Sequence, residues 1–133
     1  MNRHYPFVAE RAGHRCEYCR APEQAFNLHF EVEHIKPKSH GGTGTEENLA
    51  LACTACNVFK SDYVSAWDTL TQSEVPIFHP RQQLWEDHLC VNRVSYEIEA
   101  LTAVGRATID CLRINSAEQL RSRKLWAKLG IFP

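Results

Sequence analysis

Residues 53–60 read CTACNVFK, and this stretch decides the fold because it contains one of the two C-x-x-C pairs of the chain. The other pair is formed by Cys16 and Cys19, in the sequence CEYC. Each pair lets two thiolates reach one tetrahedral metal ion from a tight turn, and two pairs supply the four sulfur ligands of a closed structural zinc site. We therefore predict a structural zinc held by Cys16, Cys19, Cys53 and Cys56.

Two other interpretations of the cysteine pairs are a redox dithiol and an apolar core. A redox dithiol requires a thioredoxin-like βαβ pattern around the pair, and neither pair has one. The two remaining cysteines, Cys90 and Cys111, are predicted to be core thiols. Cys111 lies in a helical stripe typical of a buried face, together with Val104, Ala107, Thr108 and Leu112.

The composition is that of one globular domain. The chain has 133 residues, of which 44% are hydrophobic and 23% charged, and single cores of this size are common. We expect one domain over residues 1–133, with a core at about residues 6–62 and an extension over residues 63–133. The net charge of −1 neither favours nor excludes nucleic acid, because phosphate binding needs only a local basic patch.

The N-terminal residues do not resemble a signal peptide, because Arg3, Glu10 and Arg11 interrupt any apolar segment. No apolar run approaches the roughly 18 residues needed to span a bilayer. Disulfides are rare in reducing compartments, where paired cysteines are instead candidates for metal binding or catalysis. We therefore expect a cytoplasmic protein with no membrane partner, and the sequence leaves its oligomeric state open.

The segment between the cysteine pairs contains the second group of informative residues. Residues 30–53 read FEVEHIKPKSHGGTGTEENLALAC, where alternation over the first residues predicts a short strand that ends before Pro37. Three glycines then predict an extended loop that Asn48 closes. A second strand begins at Leu49, and Thr54 is predicted to cap a helix. The predicted order is strand, loop, strand, helix.

Three polar side chains in this segment and in the helix after it have the chemistry of phosphodiester hydrolysis. Glu33 and Asn57 offer the hard oxygen ligands that magnesium prefers, and the imidazole of His34 titrates near neutral pH, as a general base requires. Neighbouring residues of a strand point to opposite faces. We therefore expect a distorted strand end at Glu33 and His34, which the nearby Pro37 favours.

The motifs resemble the HNH endonuclease family. They are C-E-Y-C, then V-E-H-I-x-P-x-S-x-G-G, then E-N-L-A-L-A-C-x-x-C-N-x-x-K-S-D, and the resemblance covers about residues 6–62. It implies an α+β fold: a ββα-metal core, also called a His-Me finger, stapled by a structural zinc. A C-terminal helical extension is expected to follow.

The resemblance also implies the role of each site residue. His34 is the general base, Glu33 and Asn57 hold a catalytic Mg²⁺ or Mn²⁺ ion, and Asn48 orients His34 through a hydrogen bond. Two positions depart from the most common form of the motif. Glu33 replaces the usual aspartate, and Asn57 stands where histidine is frequent; an asparagine ligand favours magnesium or manganese over softer metals.

Basic residues near these motifs are the predicted nucleic-acid contacts. They are Lys36, Lys38, Lys60, His79 and Arg81. The last predicted helix, with a capping box at Asn115 and Glu118, has a further basic stripe that we interpret as a solvated face. The stripe consists of Arg121, Lys124 and Lys128.

The leading hypothesis is a metal-dependent endonuclease that hydrolyses DNA, with RNA as the other substrate to consider. The alternative is a non-catalytic, zinc-dependent nucleic-acid-binding module, which has no use for Glu33, His34, Asn48 and Asn57 in that order. A third class is a redox or metal-storage protein. Such a protein would show reversible dithiol chemistry, and its activity would not depend on His34. A nuclease assay with magnesium separates the first two.

Overall fold

We describe a computed structural model that covers residues 1–133. Its first half contains helix α1, a hairpin of strands β1 and β2, and helix α2. Their bounds are Tyr5–Arg11, Glu31–His34, Leu49–Ala52 and Thr54–Lys60. The predicted order of strand, loop, strand and helix is confirmed.

The hairpin is regular up to its loop end. Strands β1 and β2 pair antiparallel, with Glu33 opposite Ala50 and His34 opposite Leu49. Strand β2 is buried throughout, and both α1 and α2 contact the hairpin. Because the pairing continues through His34, the expected distortion at this strand end is absent. Glu33 is buried, whereas His34 is half-buried on the opposite face.

The start of α2 differs from the prediction. Thr54 is the first helical residue, and the N-cap is Cys53, whose Sγ accepts the main-chain N–H of Cys56 at 3.5 Å. The second cysteine pair therefore caps the helix as well as contributing sulfurs to the cluster. A metal bound there would fix the helix start directly.

The capping prediction for the last helix is also wrong by one residue. Its N-cap is Ser116, whose Oγ accepts the main-chain N–H of Gln119 at 3.2 Å. Asn115 instead bonds the main chain of Ile98, accepting its N–H at 2.9 Å and donating to its carbonyl at 2.7 Å. Asn115 thereby joins the last helix to a neighbouring strand.

The extension contains strands as well as helices, whereas the sequence predicts a helical extension. Two further antiparallel hairpins, β3–β4 and β5–β6, lie among helices α3, α4 and α5. In chain order the elements are β3 (Ser65–Asp68), β4 (Ser73–Pro76), α3 (Trp85–His88), β5 (Leu89–Val91), β6 (Ile98–Ala100), α4 (Ala103–Leu112) and α5 (Ala117–Lys128). The fold class is α+β, as predicted.

The extension packs on the ββα unit through a shared hydrophobic core. Buried side chains from both parts form one cluster, among them Val8, Leu51, Leu89 and Ile98. The indole N–H of Trp85 donates to the carbonyl of Tyr18 at 2.9 Å, which ties the extension to the first cysteine turn. No helix of the chain combines the length and the apolar character needed to cross a membrane.

Cys111 provides a test of which cysteines hold metal. It lies half-buried in α4, and burial raises the pKa of its thiol. We expect Cys111→Ala to keep its zinc and to lose only ~1 kcal/mol of unfolding free energy, the order of a small core truncation. Zinc content and chemical denaturation measure the two effects. Loss of the zinc from this variant would show that the ligands are assigned wrongly.

Candidate metal centre and active site

Four buried cysteines form one cluster, as the sequence predicts. The sulfur atoms of Cys16, Cys19, Cys53 and Cys56 all lie within 4.8 Å of one another. The sulfurs of Cys19 and Cys53 are 3.7 Å apart, and a tetrahedron with Zn–S bonds of 2.3 Å has edges of about 3.8 Å. The donor set and its dimensions therefore fit a structural zinc.

Hydrogen bonds within the cluster shift the pKa values of three of its thiols in different directions. Bonds to the other three sulfurs, that to Cys16 first, lower the pKa of Cys53. Bonds within the same cluster raise the pKa values of Cys19 and Cys56. The sulfurs thus share protons that a cation can replace, as zinc does when thiolates bind it.

Arg123 is a buried cation near this cluster that sequence reasoning missed. Its guanidinium donates to the carbonyl of Tyr96 at 2.8 Å and to the carbonyl of Ile114. Burial lowers the pKa of Arg123, while charge on three of the four cysteines opposes this shift. The arginine offsets the negative charge of a metal tetrathiolate. Its position on the same helical face as Gln119 and Trp126 is the only sequence signal for its burial.

His34 lies at the end of β1 with its ring half-buried. Burial lowers the pKa of His34, and the positive charges of Lys38, His4 and Lys60 lower it further. The ring is therefore neutral at pH 7, the form that accepts a proton. A Cβ added to Gly44 would lie 4.0 Å from the Nε2 atom of His34, so the loop passes beside this nitrogen at a residue that has no side chain.

Asn48 organises the loop but does not bond His34, which corrects the predicted contact. Its Oδ1 accepts the main-chain N–H of Lys36 at 2.9 Å, and its Nδ2 donates to the carbonyls of Lys36 at 2.9 Å and Thr43 at 2.7 Å. A Cβ on Gly42 would lie 1.7 Å from the carbonyl oxygen of Lys36. Asn48 and Gly42 together hold the loop against the segment that follows His34.

Glu33 is buried with both of its carboxylate oxygens in contact with partners. One oxygen accepts the hydroxyl of Tyr18, and the other lies 3.0 Å from the Nζ of Lys60. Burial raises the pKa of Glu33, and the charge of Lys60 opposes that shift. Sequence reasoning missed Tyr18, because its place between the first two cysteines suggests only a turn residue.

Lys60 lies inside the molecule, so its prediction as a nucleic-acid contact is wrong for this structure. The residue is 1% exposed. Its Nζ donates to the carbonyl of Ile35 at 2.9 Å and to that of His34 at 3.3 Å, in addition to the Glu33 contact. Three oxygens therefore surround the ammonium group between the hairpin and α2.

Glu33 and Asn57 carry oxygen donors of the kind a hard-cation site uses. Asn57 is half-buried and lies one turn before Lys60 on α2. Its carboxamide and the Glu33 carboxylate are the types of ligand that Mg²⁺ and Mn²⁺ accept. The Glu33 carboxylate already binds a cation, the ammonium of Lys60. The residues therefore fit a divalent ion in chemistry, with Lys60 beside it as a competing charge.

Arg81 contributes to the structure rather than to a surface patch. Its guanidinium pairs with one carboxylate oxygen of Glu17, whose other oxygen accepts the N–H of Leu51 at 2.9 Å. The charge of Arg81 is thus satisfied inside the chain, and it ties the extension to the first cysteine turn. We therefore withdraw the prediction that Arg81 contacts nucleic acid.

His79 and two lysines lie around the outer side of the hairpin end. The Nδ1 of His79 accepts the main-chain N–H of Arg81 at 3.2 Å, and burial lowers its pKa. His79 lines a cavity of about 510 Å³ together with Lys36 and Lys60. Lys36 is exposed, as is Lys38, so these two lysines and His79 remain candidates for contact with nucleic acid.

Comparison with known families identifies the class of this segment. Residues 16–62 match the family model described as HNH endonuclease, a match that covers about a third of the chain. The matched residues include both cysteine pairs, the hairpin and α2, so the predicted resemblance to this family is confirmed over this segment. Comparisons with curated proteins and with solved structures gave no match.

Proposed function

We propose that this protein is a metal-dependent endonuclease that hydrolyses DNA phosphodiester bonds, with His34 as general base. The observation that supports it best is a half-buried imidazole whose pKa burial lowers, directly after Glu33 in the chain and within the segment that matches the HNH endonuclease family model. We propose that residues 1–133 act as one nuclease domain, because the extension shares its core with the ββα unit. The reduced thiols of the cysteine cluster favour the cytoplasm.

In the proposed reaction His34 removes a proton from the water that attacks the phosphate. Its lowered pKa favours the neutral ring, the form that accepts a proton, and Gly44 places no side chain beside the Nε2 atom. Glu33 and Asn57 are the proposed ligands of Mg²⁺ or Mn²⁺. Such an ion supplies charge neutralisation at the phosphate and at the leaving 3′ oxygen.

The loop between β1 and β2 is the proposed contact with the DNA backbone. Lys36 and Lys38 follow His34 closely and are exposed, and lysines that neutralise phosphates supply most of the sequence-independent affinity for DNA. Asn48 fixes the main chain of Lys36 by two hydrogen bonds. The loop therefore presents its positive charge at a defined position relative to His34.

The zinc has a structural role in this proposal. The ββα unit has two four-residue strands and a seven-residue helix, too few residues to build a sufficient core alone. Structural zinc contributes roughly 10 to 16 kcal/mol of apparent binding free energy in comparable small modules. This zinc is not assigned a part in catalysis.

The experiment that tests this function compares two substrates. Zinc-loaded protein is incubated with labelled DNA and RNA of one sequence, with Mg²⁺, Mn²⁺ or EDTA, and the products are separated on a denaturing gel. We expect internal cleavage of DNA that depends on the divalent ion. Cleavage of RNA alone would change the substrate, and binding without cleavage of either would favour the non-catalytic zinc module.

A further inference from the structure

The environment of Lys60 combines deep burial with an all-oxygen contact set. The ammonium lies 2.9 Å from the carbonyl of Ile35, 3.0 Å from the carboxylate of Glu33 and 3.3 Å from the carbonyl of His34. A buried ammonium is costly unless hydrogen bonds and opposite charge compensate for the lost water. These oxygens supply that compensation, so the hairpin end forms a cation-binding position in the folded chain.

The same position contains the carboxylate that the proposed function assigns to a divalent ion. Both oxygens of Glu33 have partners, Tyr18 on one and Lys60 on the other. A divalent ion that binds Glu33 would therefore lie within a few ångströms of the ammonium, and two positive charges at that separation repel strongly in a partly dry site. The Glu33 carboxylate can therefore bind either the ammonium or the divalent ion closely, but not both.

We propose that the Lys60 ammonium occupies the position of the divalent ion and competes with it for Glu33. This inference rests on the proposed function, because it concerns the same Glu33 and Asn57 ligands. Binding of Mg²⁺ or Mn²⁺ replaces the Lys60–Glu33 contact, and Lys60 moves away on its flexible four-carbon stem. Without a divalent ion, the Lys60 ammonium therefore neutralises the charge of the Glu33 carboxylate.

The structure provides a place for the displaced ammonium. Lys60 lines the cavity of about 510 Å³ that also contacts Lys36, His79 and Gln82. This cavity lies directly beyond the strand end, since Ile35 also lines it. A Lys60 side chain turned into the cavity would place its ammonium among these lining residues and would release the Glu33 carboxylate.

The first test measures metal affinity without any cleavage. Lys60→Met removes the charge and keeps an unbranched side chain, and Mn²⁺ binding to zinc-loaded protein is followed by electron paramagnetic resonance. We expect Lys60→Met to bind Mn²⁺ at least about tenfold more tightly than the unmodified protein, because the competing charge is gone. Lys36→Met, which removes a nearby exposed charge, is the matched control and should change affinity much less.

A second measurement uses the unmodified protein, in case Lys60→Met does not fold. A buried, hydrogen-bonded ammonium exchanges protons slowly, so its ¹⁵Nζ signal should be visible by NMR. Titration with Mg²⁺ should shift or broaden the Lys60 signal. An unchanged Lys60 signal at Mg²⁺ saturation, or unaltered Mn²⁺ affinity in folded Lys60→Met, would overturn the proposal.

These outcomes are separable from failure of the proposed function. If Mn²⁺ displaces Lys60 but DNA is never cut, the competition stands and the nuclease assignment fails. If DNA is cut with Mg²⁺ while the Lys60 signal is unaffected, the nuclease assignment stands and the ion binds elsewhere than at Glu33. If no divalent ion binds to either form, the competition is wrong whatever the cleavage assay shows.

Discussion

Replacement of His34 by alanine is expected to lower the rate of DNA cleavage roughly 10²- to 10⁴-fold, the usual contribution of a general base. DNA affinity at fixed salt should change little, because it comes mainly from cationic contacts with phosphates. The measurement is single-turnover cleavage of plasmid DNA, paired with a binding titration. No concentration of magnesium or manganese should restore activity, since the lost group moves a proton rather than binding the ion.

His29→Ala is the matched control for this variant. His29 is exposed and its ring lies against Tyr5, with centroids 4.2 Å apart, in a part of the chain with no proposed catalytic role. It should cut DNA at close to the parental rate. Parental activity in His34→Ala would show that the general base is another group.

Replacement of Cys53 by serine is expected to abolish zinc binding and folding together. Cys53 contributes a sulfur to the cluster and also caps α2, so one substitution removes a metal ligand and a helix cap. Structural zinc contributes roughly 10 to 16 kcal/mol in small modules, whereas whole domains are stable by only about 5 to 15 kcal/mol. Zinc analysis by mass spectrometry and circular dichroism of the purified protein measure the result.

Cys90→Ser makes the same chemical change outside the cluster. Cys90 is half-buried in β5, and the variant should remain folded with about one zinc per chain. A soluble, cooperatively folding Cys53→Ser protein without zinc would contradict the structural role of the metal. In that case the hydrophobic core alone would be sufficient to hold the fold.

Local sequence signals were sufficient for the central part of the fold. The spacing of Cys16, Cys19, Cys53 and Cys56 has few interpretations in a small chain, and it correctly predicts one cluster. Alternation before Pro37 and the glycine-rich loop correctly predict the β1–β2 hairpin and α2. These features depend on turn chemistry and ligand spacing, which act over a few residues.

Side-chain partners that are distant in sequence were not predictable in the same way. Lys60 has the residue type and position of a phosphate contact, yet it is buried with Glu33, 27 positions earlier in the chain. Arg81 likewise pairs with Glu17. A single sequence shows that these charges exist, but only the packing of the hairpin, α2 and the extension decides which of them face solvent.

The extension is predicted as helical, and its short strands are not part of that prediction for a different reason. Strands β5 and β6 have three residues each, which is too short for a clear alternating pattern. They form because α4 and the core cover them, with Leu89 and Ile98 buried. Tertiary packing therefore determines these strands more than local propensity does.

The proposed function requires two different metals. One is a fixed zinc that stabilises the fold, and the other is an exchangeable hard cation at the catalytic site. The most direct test is crystallography of the zinc-loaded protein soaked in Mn²⁺, with anomalous data collected at both absorption edges. We predict a zinc peak among the four cysteine sulfurs and a manganese peak between Glu33 and Asn57, with Lys60 withdrawn from the carboxylate. A zinc peak alone at saturating manganese, with the Lys60–Glu33 contact intact, would contradict it.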